Sequence, residues 1–144
     1  DVCSSDLWRD LASFLTNKPS VAMDPRIRHT VSRMRRDVAR ELDVDGLASA
    51  AGLSRAHFFT LFQRDTRVTP LVYANVLRFE QAVKWLAQTR EAVGDVAHDL
   101  GFSAPSHFSR FFRAHLGITP SDYRRTVNLF EQTVDAEMSD VMAS

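Results

Sequence analysis

LASAAGLSRAHFFTLFQRDTRVTPLVY, residues 47–73, recurs in altered form as VAHDLGFSAPSHFSRFFRAHLGITPSDY, residues 96–123. Gly52 aligns with Gly101 at an offset of 49. One inserted residue then makes the offset 50, so Phe58, Phe62, Thr69, Pro70 and Tyr73 match Phe108, Phe112, Thr119, Pro120 and Tyr123. Self-similarity in both spacing and residue type marks two copies of one supersecondary unit. Each copy reads as a short helix, a tight turn and a longer helix. Gly52 and Gly101 supply the turns, where a positive φ costs glycine nothing. Ser54 and Ser103 follow as N-cap acceptors. Thr69-Pro70 and Thr119-Pro120 each open the next helix with a cap and then a proline.

The flanking sequence extends this pattern. Asp24-Pro25 opens a helix expected to run to about Glu41, with Ile27, Val31, Met34 and Val38 on one face and Arg26, Arg33, Arg36 and Arg40 on the other. Asp43 caps a short helix over residues 44–51, which Gly46 weakens by roughly 0.5–1 kcal/mol relative to alanine. A longer helix follows from residue 55 to about 65. Residues 71 to about 88 form a linker helix that offers Val72, Val76, Phe79, Val83 and Leu86 for burial. The second copy places helices at 93–100 and about 105–116, and a last helix opens at Pro120. No segment alternates with period two for long enough to make a strand, so the expected fold is all-α with seven helices. The acidic end, NLFEQTVDAEMSDVMAS, has no stop signal and either extends the last helix or frays.

Composition narrows the function classes. The apolar fraction of 44% and the ten Phe are ample for a core in 144 residues, which excludes global disorder. No apolar run reaches the roughly 20 residues that span a bilayer, and no secretory signal is visible, so a cytoplasmic protein is expected. The only cysteine, Cys3, excludes an internal disulfide and a Cys-based zinc site. Asp, Glu and His are scattered, with no HExxH and no phosphate loop, which argues against an enzyme and against a cofactor. The net charge of zero conceals a division. Residues 24–125 hold 16 Arg and Lys against 11 Asp and Glu, and the two ends hold 2 against 7. A basic centre rich in Arg suits phosphate and guanine edges.

The opening DVCSSDL is what translation of the end of a common sequencing adapter produces. Asp1 to Asp6, Cys3 included, are therefore expected not to be native, and an upstream domain is expected to be missing. LWRDLASFL, residues 7–15, has helical spacing and reads as the last helix of that domain, followed by a linker containing Pro19. This divides the chain into residues 1–23, a tandem unit at 24–126 and an acidic tail at 127–144. Within the tandem unit the first copy covers about 43–66, the linker helix about 70–88 and the second copy about 93–116.

A helix-turn-helix braces its second helix with its first and lets the second enter the major groove of DNA. Bracing requires small residues at the contact, here Ala48, Ala51 and Ala97. It also requires apolar anchors, here Leu53, Phe58, Leu61 and Phe62, then Phe102, Phe108, Phe111 and Phe112. Helical phase leaves Arg55, Ala56, Phe59, Thr60, Gln63 and Arg64 outward in the first copy. In the second it leaves Pro105, Ser106, Ser109, Arg110 and Arg113. Arg110, between inward-facing Phe108 and Phe111, is placed to make a bidentate contact with guanine or to grip a phosphate. Phe59 can touch a thymine methyl or pack against a partner. His57 and His107 can donate to phosphate or be plain surface side chains, and the helix ends opened by Ser54 and Ser103 can attract a phosphate. The competing reading is a helical module that binds protein, its basic face meeting an acidic partner.

On these residues the chain resembles the AraC/XylS family of bacterial transcription regulators, whose DNA-binding domain is a homeodomain-like pair of helix-turn-helix units. The resemblance rests most heavily on Val96-Ala97, Gly101-Phe102-Ser103, His107-Phe108-Ser109-Arg110, Phe111-Phe112, Gly117-Ile118-Thr119-Pro120 and Tyr123-Arg124. It rests less on Leu47-Ala48, Ala51-Gly52-Leu53-Ser54, Phe58, Leu61-Phe62 and the linker stretch LRFEQA at 77–82. It implies a sequence-specific regulator, often an activator, that inserts two helices into successive major grooves of promoter DNA. RNA polymerase is its implied partner, a small-molecule effector acts through the missing upstream domain, and the protein works at the nucleoid. A linker of about 18 residues spans about 27 Å, against roughly 34 Å between successive grooves on one face. Three departures stand out. Arg67 occupies the place of Gly117, where a Cβ can distort the turn or the side chain can reach phosphate. Phe59 and Thr60 stand where polar readers are frequent in the family. Gly46 loosens the first bracing helix.

Overall fold

The computed structural model describes residues 22–143, so the adapter-like segment, the helix expected at 7–15 and the linker at Pro19 lie outside the described residues. Among the described residues there are seven helices and no strand: α1 (Pro25–Arg36), α2 (Val44–Ala50), α3 (Arg55–Thr66), α4 (Pro70–Gln88), α5 (Val93–Asp99), α6 (Pro105–Leu116) and α7 (Pro120–Ala143). They form two compact units that divide within α4, between Gln81 and Ala82.

In the first unit Asp24 caps α1 by accepting from Arg26 N at 2.9 Å, ahead of the proline at the first helical position. The helix stops at Arg36, five residues short of the expected Glu41. Asp37 leaves the helical region with φ −134° and ψ 71°. The carbonyls of the chain beyond it are taken up by the Arg78 guanidinium, which donates to Val38 O at 3.3 Å and Arg40 O at 3.4 Å. A side chain from α4 thus satisfies carbonyls of the segment that follows α1. The buried face of α1 is Ile27, Thr30 and Met34, with Val31 and Val38 only half-buried. Thr30 is accommodated because its hydroxyl donates to Arg26 O at 2.9 Å.

Ile27, Met34, Ala48, Phe58, Leu61, Phe62, Tyr73 and Leu77 make the core of this unit. Phe62 packs on Phe58 at 5.7 Å between ring centroids and edge-on against Tyr73 at 5.6 Å. In the second unit Ala82, Leu86, Val96, Ala97, Leu100, Phe108 and Phe112 are buried. Phe112 there packs on Phe108 at 5.9 Å and against Tyr123 at 5.6 Å, the same pair of contacts 50 positions later. Helix α4 contributes to both cores, Tyr73, Val76 and Leu77 from its first half and Ala82 and Leu86 from its second. The single stripe expected along it, Val72, Val76, Phe79, Val83 and Leu86, is therefore only partly observed. Val72, Phe79 and Val83 remain half-buried because one helix serves two cores.

Candidate nucleic-acid interface

The turn inside each unit is built alike. Gly52 and Gly101 take φ +71° and +88°. Leu53 N donates to Ala48 O and Phe102 N to Ala97 O, both at 3.0 Å. Ala48 and Ala97 are almost fully buried, so the short helix lies close under the longer one, as the small residues predicted. Asp43 caps α2 by accepting from Gly46 N at 3.0 Å. Gly46 has a reason beyond weak helix propensity, because a Cβ there would lie 2.3 Å from the Asp43 carboxylate.

The longer helices, α3 and α6, present the outward faces that helical phase predicted. Ser54, Arg55, Ala56, Thr60, Gln63 and Arg64 are exposed and Phe59 is half-buried. Pro105, Ser106, His107, Arg110 and Arg113 are exposed and Ser109 is half-buried. Phe58, Leu61 and Phe62 point the other way, as do Phe108 and Phe112.

Three details differ from the sequence reading. Ser54 caps α3 by accepting from His57 N at 3.2 Å, but Ser103 does not cap α6. The inserted residue puts Ala104 at the N-cap, where no side chain can accept. The Ser103 hydroxyl instead pairs with His107 Nδ1 at 2.7 Å, a contact that their i, i+4 spacing could have signalled. Second, Arg67 does not distort the turn after α3. It adopts φ 68°, ψ 1°, the left-handed C-cap that Gly117 adopts at φ 85°, ψ −6°. Third, the Arg55 guanidinium stands 5.6 Å above the Phe59 ring, a cation–π contact that the sequence reading did not include.

The arginines of the two faces are held differently. Arg55 donates to Asp45 at 2.8 Å, and Arg64 to Asp65 at 2.9 Å. Asp65 in turn accepts from Asp24 N at 2.9 Å, which ties the end of α3 to the start of α1. Among the described residues Arg110 and Arg113 make no ion pair. The Arg55–Asp45 and Asp24–Asp65 pairings were not legible in the sequence, since they join residues 10 and 41 positions apart. Hydrogen bonds and charge from Arg26 hold the Asp24 carboxyl down at about 2. Burial lowers His115, which meets Phe111 edge-on at 4.5 Å, and raises Tyr123. Among the described residues no group of His, Cys, Asp and Glu could hold a metal ion, and no helix is long and apolar enough to cross a membrane.

A family described as a helix-turn-helix domain matches residues 47–126, both units together. The regulator GbdR of Pseudomonas aeruginosa is 33% identical over 101 residues, which are 70% of this chain and 28% of GbdR. The chain spans about a third of the length of the curated relatives it matches. The DNA-binding domain of AdpA, solved with a target DNA, superposes with a TM-score of 0.67 at 29% identity, covering 72% of this chain and 93% of that one. A Chromobacterium violaceum regulator with an AraC-type DNA-binding domain superposes with a TM-score of 0.65 at 31% identity, covering 72% and 92%. The two units, their glycine turns and their paired phenylalanine cores place this chain in the AraC family of helix-turn-helix transcriptional regulators.

Proposed function

We propose that the chain binds promoter DNA sequence-specifically, with α3 and α6 as its recognition helices in successive major grooves. The carrying observation is that two helices of the same length present equivalent outward faces, each with arginines, over equivalent phenylalanine cores. The AdpA domain with its target DNA supports the same use of this fold. Helix α4, at 19 residues, is about 28 Å long, commensurate with one turn of the duplex. Ser54, Arg55, Ala56, Phe59, Thr60, Gln63 and Arg64 form one contact face. Pro105, Ser106, His107, Ser109, Arg110 and Arg113 form the other. Phosphate contacts from Arg supply most of the affinity, and base-edge contacts supply specificity.

In this reading the DNA-bound chain acts on RNA polymerase, and an effector acts through sequence outside these two units. Such a protein works at the nucleoid in the bacterial cytoplasm and carries out no catalysis. The test is a titration of a promoter fragment across salt concentrations. Specific DNA binding gives a steep, linear fall of log K with log[salt]; a flat line overturns the reading.

A further inference from the structure

Two surfaces outside the recognition helices match each other. Helix α1 holds five Arg and no acid in its 12 residues. Its inward face is Ile27, Thr30 and Met34, while Arg26, Arg28, His29, Arg35 and Arg36 are exposed. A cleft of about 570 Å³ lies beside it, with Met34, Val38, Leu42, Leu47 and Leu77 inside and Arg33, Arg36 and Arg40 at the rim. A smaller cleft of about 260 Å³ continues past Arg33 toward Pro25, between His29 and Ala50-Ala51. The two clefts share Arg33 and Ala50 and follow one another along the helix. Asp37 and Glu41 also stand at the rim of the larger cleft, and Asp43 is engaged as the α2 cap. Arg26, Arg33, Arg36 and Arg40 line the two clefts against Asp37, Glu41 and Asp43, an excess of one arginine, and Arg28 and Arg35 lie elsewhere on the same helix.

The other surface is the end of α7. Beyond residue 127 every described residue is exposed. Phe130, Val134, Met138 and Val141 recur at helical spacing as one apolar stripe, exposed by 70%, 36%, 61% and 77%. Residues 127–144 contain Glu131, Asp135, Glu137 and Asp140 and no Lys or Arg. Two such tails laid against each other would bring acids together along both flanks, which disfavours tail-to-tail pairing. The stripe from Phe130 to Val141 covers 12 positions, about 18 Å, and α1 is the same length.

We propose that the groove along α1 takes the acidic tail, residues 127–143, of a second copy of this chain. The contact is head-to-tail: apolar side chains of the tail enter the clefts, and its carboxylates meet the rim arginines. Each copy carries one groove and one tail, so the interface is heterologous. It is an amphipathic helix in a groove, small enough to be weak at micromolar protein.

Sedimentation velocity on the whole chain, up to roughly 100 µM protein, reads this out. Concentration-dependent association that falls away near 1 M salt is expected, because screening reaches about 3 Å there. The double variants Arg36→Glu/Arg40→Glu and Phe130→Ser/Val134→Ser change exposed side chains, and circular dichroism checks that each still folds. Each alone should weaken self-association by roughly tenfold or more. Mixing the two should restore a one-to-one complex, because one supplies an intact tail and the other an intact groove. A chain that stays monomeric throughout, a tail docked within its own molecule included, overturns the proposal. So does association that neither variant weakens, or a mixture that fails to re-associate.

Discussion

The first unit holds its outward arginines with carboxylates, and the second leaves them unpaired. Arg55 is bound by Asp45 and rests over Phe59; Arg64 is bound by Asp65, which is itself fixed by Asp24 N. Arg110 and Arg113 have no ion pair among the described residues. The helix ends differ as well. The first unit caps α3 with Ser54 and has a left-handed Arg67 at its C-cap, whereas the second has Ala104 at the N-cap of α6 and Gly117 at its C-cap. One scaffold therefore carries two unlike faces. A preorganised Arg loses less freedom on binding but must give up a partner, while an unpaired Arg is available outright.

The largest effects test whether the scaffold is equivalent. Phe62→Ala and Phe112→Ala should each cost about 3–5 kcal/mol in urea unfolding, since both rings are fully buried. A markedly smaller loss in either would show that its core collapses around the gap. The faces come next. Arg110→Ala should weaken specific DNA binding by about 1–3 kcal/mol if it reads a base. Arg55→Ala should cost less, because Asp45 competes for it. Asp45→Asn should then raise affinity and steepen the log K against log[salt] slope by about one, which a titration at several salt concentrations measures. An unchanged slope would mean that Arg55 does not meet DNA.

Smaller effects separate the helix ends. Arg67→Gly should raise stability by about 1 kcal/mol by relieving a left-handed non-glycine residue, and Gly117→Ala should lower it by a similar amount. Ala104→Ser should stabilise by about 0.5–1 kcal/mol by supplying the missing cap at φ −151°, ψ 149°. Ser54→Ala should cost about as much.

The gentlest probe is pH. Asp24 has a folded pKa of about 2 against an ordinary 3.8, so its contribution is fully present above about pH 4 and disappears as pH falls through 2. His115 is also depressed, so its contribution is present above its ordinary value of 6.5 and is lost as pH falls below it. Urea midpoints measured from pH 7 to 5 thus report on the second unit, and those from pH 4 to 2 on the first. Asp24→Asn should flatten only the acid limb, and His115→Gln only the limb near neutrality.

The sequence by itself determined the helices, the tandem repeat and the two outward faces, because these rest on local chemistry. Periodicity places Phe58 and Phe62 inward and Arg110 outward, glycine permits the turns, and Thr-Pro opens the following helices. Only the tertiary structure decided where α1 stops, which residue caps α6 and how the arginines are held. Helix α1 ends at Arg36, and Arg78, 38 and 40 positions away, takes the carbonyls of Arg40 and Val38 in the segment that follows. Arg55 is restrained because folding brings Asp45 to it, and Arg64 because its chain neighbour Asp65 is itself held by Asp24 N, 41 positions away. Repetition and phase are properties of the chain within a few residues, whereas the Asp45–Arg55 and Asp24–Asp65 contacts join residues that meet only once the first unit has packed.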